Sequence, residues 1–287
     1  MSLSSAQLDA LNELAKSKSF SRAAKNLALT QSALSQRIAK LEAELGTSLL
    51  IREPKGIRFT AAGEKLLRYC QLKASLEAAC LADLHDPDSA ALKGTIRVGG
   101  YSTLMRSVVL PALGPALSRN PQVTIELFTK EMAELTSLLR TGEADFVFMD
   151  KASESAGVES LFLGYEEYVL VGPKTKKPPD DLFLDHDQED QTTFRFLALQ
   201  RQKNQKVRRS FLDEIYGILD GVALGLGKAV VPLHLAEEDG RVLIARESTP
   251  MLVPVYLHYY RQPFYTELQK LALVCLGKVA ERLKQKK

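Results

Sequence analysis

The sequence predicts a chain in two parts: a small, basic, helical N-terminal domain closed by a β-hairpin, and a larger α/β domain folded as two lobes, with one long helix between them. Three observations predict it. Residues 19–60 read as two short helices, a tight turn and a hairpin, with an excess of lysine and arginine. Residues 61–84 keep a helical period without proline. From Gly94 onward, apolar strand-like runs alternate with helical stretches across short loops, as in sheets with helices on their faces.

The elements follow in order. Residues 3–16 make an amphipathic helix with Leu3, Leu8, Leu11, Leu14 and Ala15 on or near one face. Ser21 is the expected N-cap of a short helix over 22–27, with Ala23, Ala24 and Leu27 inward. Ala28-Leu29 makes the turn, Thr30 caps a second helix running to about Leu45, and Gly46 stops it. Ala33, Leu34, Ile38, Leu41 and Leu45 recur at helical spacing and face inward. That leaves Gln31, Ser32, Ser35, Gln36, Arg37 and Lys40 outward, side chains able to hydrogen-bond base edges and phosphates in a major groove. Short helix, turn, then a longer helix with a polar outer face is helix-turn-helix geometry. Residues 49–59 form two strands around Pro54-Lys55-Gly56, a wing on which Arg52, Lys55 and Arg58 would meet phosphates; Ser21 and Arg22 extend the same surface.

This stretch resembles the DNA-binding domain of LysR-type transcriptional regulators. The matching residues are Phe20, Ala23-Ala24, Leu27, Thr30-Gln31-Ser32-Ala33, Ser35, Ile38, Leu41-Glu42, Leu45-Gly46, Leu49, Arg52, Thr60 and Gly63. Leu50-Ile51-Arg52 departs from the family, most of which carries Phe at the residue after the first Leu. That form, with Ser35-Gln36-Arg37-Ile38, looks closer to the branch that regulates export of arginine or lysine, the ArgP type.

Residues 61–84 read as one helix with Ala62, Leu66, Tyr69, Lys73, Leu76 and Cys80 on a heptad-like seam, Lys73 being its imperfection. In the resembling family this helix pairs with its copy in a second subunit. A dimer also suits DNA, because two recognition helices then reach major grooves about 34 Å apart. The expected organisation is residues 1–60 for DNA binding, 61–84 as linker and dimerisation helix, 85–93 as hinge, and 94–287 as effector domain. Within the last, lobe 1 takes 94–172 and 247–287, and lobe 2 takes 173–246.

In lobe 1, strands over 95–100, 123–128 and 144–149 alternate with a helix over 104–117, broken near Pro111, and another over 131–139, implying a parallel sheet. Residues 157–172 cross to lobe 2, which holds a helix over 217–227 and a buried strand over 228–232. Residues 253–260 return, and 264–283 close the fold as an amphipathic helix. Two lobes with two crossings is the architecture of periplasmic-binding-protein-like domains. The runs 134–145 and 221–232 resemble the family's effector domain, with Leu138, Gly142 and Asp145 at a helix-to-strand corner and Asp145 structural.

Composition excludes several classes. The chain has 287 residues, 45% hydrophobic and 25% charged, ordinary for a globular protein of two domains. No apolar run nears the ~18 residues of a membrane span, and the N-terminus lacks a basic, apolar leader. Cys70, Cys80 and Cys275 show no metal spacing and predict reduced, helix-packing thiols of a cytoplasmic protein. Net charge is only +3, but residues 1–60 carry nine cations against five acids, leaving the body near neutral. No catalytic set holds. Gly225-Leu-Gly227-Lys228 fails as a phosphate loop, with Val222 at its first glycine position and Ala229 at its Ser/Thr position. It fails as a dinucleotide fingerprint at Val230. His85, His186, His234 and His258 have no metal spacing. The expectation is no enzyme, no cofactor and no metal.

The cleft between lobes is the default ligand site. Ser102 and Thr103 open a helix whose free N–H groups suit an anion such as an α-carboxylate, and they match the family's effector loop. Thr129 and Asp150 lie at the same sheet edge, where Asp150 would meet an amino or other cationic group. The acidic run Asp185, Asp187, Asp190 resembles a loop of the arginine/lysine-export branch, so Asp190 joins the candidates and arginine or lysine is the expected effector. The function read is a LysR-type, effector-controlled transcriptional regulator, a homodimer or homotetramer. The alternative is a small-molecule-binding protein whose first domain only dimerises; it would show a more apolar face over 30–45.

Overall fold

The computed structural model describes residues 3–53, 56–85, 92–130, 132–174, 178–201 and 206–283. The N-terminal domain packs α1 (Ser5–Ser17), α2 (Phe20–Asn26) and α3 (Gln31–Leu45) around Leu11, Leu14, Leu34 and Leu41, all fully buried. Thr30 Oγ1 accepts the Ala33 N–H at 3.1 Å, and Gly46 adopts φ 63°, so local chemistry starts and stops α3 as expected. The α2 cap is not the expected one. Ser19 caps it, its hydroxyl accepting the Arg22 N–H at 3.4 Å, and the helix begins early enough to bring Phe20 onto the core. Strands β1 (Leu50–Glu53) and β2 (Gly56–Phe59) form the antiparallel wing, pairing Ile51 with Arg58 and Arg52 with Ile57.

Helix α4 (Ala61–His85) leaves the wing and runs to the second domain. Its start is held by a close approach: a Cβ on Gly63 would lie 2.2 Å from the Leu49 carbonyl oxygen. Ala62 and Leu66, the first two residues of the expected seam, are taken up by the N-terminal core. The part left exposed is Tyr69, Leu76 and Cys80, continued by Leu84, which is 70% exposed. Lys73 is held by Glu77 at 3.2 Å and by Ser5. Further contacts seat α4 on both domains: Gln71 Nε2 donates to Asn12 Oδ1, Arg68 to the Arg140 carbonyl, and Glu64 pairs with Arg140 at 3.4 Å. The Arg68 guanidinium lies 3.7 Å over the Tyr260 ring. Most of the expected hinge lies outside the described residues.

Lobe 1 is built on β3 (Gly94–Gly100), β4 (Val123–Thr129) and β5 (Phe146–Met149), mutually parallel as expected. The sheet is nonetheless mixed. The long crossing strand β6 (Val158–Pro173) and the returning strand β11 (Met251–Tyr260) pair antiparallel along their length, and β11 also runs antiparallel to β5. A chain that crosses to a second lobe and comes back must reverse direction, and the return strand is inserted beside β5. The helix after β3 is not broken at Pro111. It runs from α5 (Ser102–Leu104) through a π-helical turn (Met105–Val109) into α6 (Leu110–Arg119). In this wider turn the Leu110 N–H bonds to the Met105 carbonyl, five residues back, a spacing that eases the clash a proline makes with the carbonyl four residues before it. Helix α7 (Met132–Thr141) covers the other sheet face, and α11 (Glu267–Gly277) with a following 3₁₀ turn closes the first. Asp145 is structural: its carboxylate accepts the Arg97 N–H at 3.1 Å and its own N–H donates to the Arg97 carbonyl.

In lobe 2, β9 (Ala229–Pro232) and β10 (Val242–Ile244) pair with the far half of β6. Strands β7 (Leu182–Asp185) and β8 (Arg208–Phe211) form a separate parallel pair. Helices α8 (Thr192–Leu199), α9 (Ile215–Ala223) and α10 (Leu233–Glu238) complete the lobe. The helix expected over 217–227 ends at Ala223. Gly225 turns to φ 79°, and the Leu226 N–H returns to the Gly221 carbonyl at 3.0 Å.

Candidate nucleic-acid interface and interlobe cleft

Helix α3 presents Gln31, Ser32, Gln36 and Lys40 to solvent, with Ser35 and Arg37 half-buried beside them. Its first turn carries no acid, so the helix N-terminus is an unopposed partial positive charge. Ser21, which does not cap α2, donates its hydroxyl to Gln31 Oε1 at 3.0 Å. This fixes Gln31 from the neighbouring helix. Arg22 is exposed on α2. Arg52 lies over the Phe20 ring, 4.6 Å from its centroid, which holds its guanidinium against the helical face.

Arg58 does not join this surface. Adjacent strand positions face opposite ways, and the register puts Arg58 with Ile51 on the side away from Arg52. There it pairs with Glu53 at 2.8 Å and lines a cavity of about 600 Å³ shared with Arg140 and Glu143 of lobe 1. Lys55 lies outside the described residues.

In lobe 1, Ser102 and Thr103 follow β3, Thr129 ends β4 and Asp150 follows β5. Their strands are neighbours, and β3–β4 pairing sets Thr129 opposite Gly100, so these candidates share one edge. Thr129 is exposed, Ser102 and Asp150 are half-buried, and Thr103 is buried with its hydroxyl turned inward.

What Thr103 meets is a residue that sequence reasoning passed over. Its Oγ1 donates to Glu166 Oε1 at 3.4 Å. Glu166 lies on β6 between its two lobes' worth of pairing and is 2% exposed. His234, from α10 in lobe 2, places Nδ1 3.7 Å from the same oxygen. The hydroxyls of Tyr101 and Tyr168 lie close by; that of Tyr101 is buried but outside hydrogen-bond geometry. Glu166 Oε2 and His234 Nε2 are likewise buried without a hydrogen-bond partner. Burial pushes the Glu166 carboxyl up to about 7, against the pull of the Tyr168, Tyr101 and Thr103 hydroxyls. Burial lowers His234, and it raises Tyr101 further with the help of Glu166 and Asp150. Among the described residues no lysine or arginine pairs with Glu166. A second contact bridges the lobes: Arg106 stacks over the Tyr216 ring at 3.9 Å.

The acidic run of lobe 2 is less available than its composition implied. Arg209 takes the Asp185 carboxylate, which Thr193 also reaches, and donates to the carbonyls of Asp187 and Asp190. The Asp187 carboxylate accepts the N–H groups of Glu189 and Asp190. Asp190 Oδ1 accepts the Thr192 N–H at 2.8 Å, and its other oxygen accepts that of His186. These aspartates build the loop around the half-buried Arg209.

Two family descriptions match this chain. "Bacterial regulatory helix-turn-helix protein, lysR family" covers residues 5–64, and "LysR substrate binding domain" covers residues 89–273, more than half the chain. The protein belongs to the LysR family. A Pseudomonas aeruginosa protein described as a transcriptional regulator is 30% identical over 278 residues, 87% of this chain and 88% of its own. The transcriptional activator IlvY of Salmonella typhimurium is 28% identical over 255 residues, 82% of this chain and 86% of its own. Among solved structures, ArgP from Mycobacterium tuberculosis has a TM-score of 0.79 at 23% identity, covering 100% of both chains. Full-length LysG from Corynebacterium glutamicum, with arginine bound as effector, has a TM-score of 0.78 at 21% identity, covering 99% of this chain and 100% of its own. These two likenesses establish the fold, a helix-turn-helix domain on a two-lobed effector domain. LysR proteins are non-enzymatic DNA-binding transcriptional regulators. No helix among the described residues is long and apolar enough to cross a membrane.

Proposed function

We propose that this LysR-type regulator reads DNA with Gln31, Ser32, Ser35, Gln36 and Arg37, grips phosphates with Arg22, Lys40 and Arg52, and answers to a basic amino acid such as arginine or lysine held between the lobes. The observation that carries the DNA half is the unopposed polar face of α3, with Gln31 pinned by Ser21 at 3.0 Å. The effector half is supported by the acid Asp150 at the same sheet edge as Ser102 and Thr129, and by the fold shared with an arginine-bound regulator. The α-carboxylate lies against Ser102 and the amino group toward Asp150. Tyr69, Leu76, Cys80 and Leu84 form the seam on which a second copy pairs, presenting two reading helices to one operator. Effector binding shifts the lobe arrangement, and through it the occupied half-sites, by its differential affinity for the two states.

The experiment is fluorescence anisotropy with DNA from upstream of the protein's own gene and of its neighbour, at two salt concentrations, with and without arginine or lysine. Salt-sensitive, sequence-selective binding that responds to either amino acid is expected. Selective binding without a response overturns the effector assignment. No selective binding, with no site enriched from a random pool, favours the reading in which the first domain only dimerises.

A further inference from the structure

We propose that Glu166 is the acceptor for the effector's cationic side-chain group, an ammonium or a guanidinium, and so sets the charge selectivity of the cleft. This rests on the basic-amino-acid reading above and assigns it a residue. Thr103 of lobe 1, Glu166 on the crossing strand and His234 of lobe 2 meet at one carboxylate oxygen. The other oxygen, Oε2, is buried and takes no hydrogen bond. A buried carboxylate without a cation is costly, and among the described residues no lysine or arginine reaches this one. The missing partner is a donor that arrives between the lobes. Asp185 of lobe 2 is already held by Arg209, and Asp187 and Asp190 by loop N–H groups.

The surroundings make the docking proton-linked. With its carboxyl raised to about 7, Glu166 is partly protonated in the empty cleft at neutral pH. A cation at Oε2 favours the carboxylate, so binding expels a proton. The groups that face Glu166 are Thr103 and Tyr101 from lobe 1, Tyr168 on its own strand and His234 from α10. Asp150 and Asp190 act on the tyrosines, and Glu237 and Glu238 on His234. The tyrosines stay neutral over the physiological range, and burial favours the neutral form of His234. Affinity for a cationic ligand therefore rises with pH through the Glu166 range and levels off above it.

Calorimetric titration of the full-length protein with arginine and lysine, each in two buffers of different ionisation enthalpy at pH 7, tests this. Expected is release of a substantial fraction of a proton per ligand, and arginine bound at least tenfold more tightly than its neutral analogue citrulline. Glu166→Gln should abolish the proton release and bring arginine and citrulline within about threefold of each other, with circular dichroism checking its fold. Wild-type protein that binds arginine or lysine without releasing a proton overturns the assignment of Glu166 and leaves the effector class standing, whether or not the variant folds. A folded Glu166→Gln that keeps the preference for arginine does the same. Wild-type protein that binds neither arginine nor lysine overturns both.

Discussion

Replacing Gly63 by alanine sets two opposed effects against each other at the junction of wing and linker helix. Alanine in a helix interior is favoured over glycine by about 1 kcal/mol. Here the new methyl carbon would sit 2.2 Å from the Leu49 carbonyl oxygen and 3.2 Å from Phe59 Cδ1. Contact at ordinary distance requires a shift of more than 1 Å, and Leu49 is poorly placed to give. Its side chain is 1% exposed, its N–H donates to Glu42 Oε1 at 2.6 Å, and its carbonyl accepts the Thr60 N–H at 2.9 Å. Overpacking of this kind costs about 1–3 kcal/mol, and losing the Thr60 bond adds about 1 kcal/mol. The net effect is a destabilisation of about 2 kcal/mol, with weaker DNA binding because the wing moves relative to α3. Gly114, inside α6, provides the control: a Cβ there meets nothing within 4 Å, so Gly114→Ala should be neutral or stabilising. Urea unfolding followed by far-ultraviolet circular dichroism, with anisotropy on operator DNA, measures both. A Gly63→Ala protein as stable as Gly114→Ala, with unchanged DNA affinity, would refute the reasoning.

Other outcomes follow from the same geometry. Arg37→Ala should weaken operator binding and flatten its salt dependence by about one phosphate contact, whereas Arg58→Ala, tied to Glu53 on the opposite wing face, should change neither. Thr30→Ala removes the α3 cap and should cost about 1 kcal/mol in urea unfolding. Glu166 has its folded pKa raised from 4.5 to about 7, so the stability it confers when protonated is full below pH 4.5 and is lost as pH rises through 7. Comparing the unfolding of ligand-free wild type and Glu166→Gln at pH 5 and pH 8 should show the wild type losing up to about 3 kcal/mol relative to the variant. Leu76→Arg, at an exposed seam position, should shift sedimentation toward monomer and weaken binding to a two-half-site operator more than to a single half-site.

Features set by neighbouring residues were legible before the fold was seen. Thr30 and Gly46 bracket α3 through their own backbone and side-chain chemistry, and Asp145 sits at a corner its flanking glycine already marked. Features decided by distant packing were not. Ser19 and Ser21 are equally good caps in isolation; the need to bury Phe20 chooses Ser19 and frees Ser21 to fix Gln31. Arg52 and Arg58 look alike in composition, and only the hairpin register separates them. The acidic run of lobe 2 read as a cation site because Arg209, some twenty residues on, could not be matched to it. Glu166 and Glu167 stand side by side in an apolar strand. The two-residue period puts Glu167, not Glu166, in phase with the buried Val169 and Val171, so the local pattern points to the wrong glutamate and only the tertiary fold turns Glu166 in.

The seat of α4 decides what can move. Arg68 caps the Tyr260 ring, Glu64 holds Arg140, and Gly142, at φ 77°, packs so close to α4 that a Cβ there would lie 3.3 Å from Arg68 Cα. The reading head is thereby bolted to lobe 1, and the two form a common chassis. The backbone passes between that chassis and lobe 2 along β6 and β11, whose pairing slips register at Val255/Tyr256, with side-chain contacts at Glu166 and at Arg106 over Tyr216 beside it. Were the proposed effector to close the cleft, lobe 2 would swing against that frame. On that proposal the message would leave the subunit through the outer surface of lobe 2, toward a neighbouring copy, and would reach the operator as a change in spacing between reading heads.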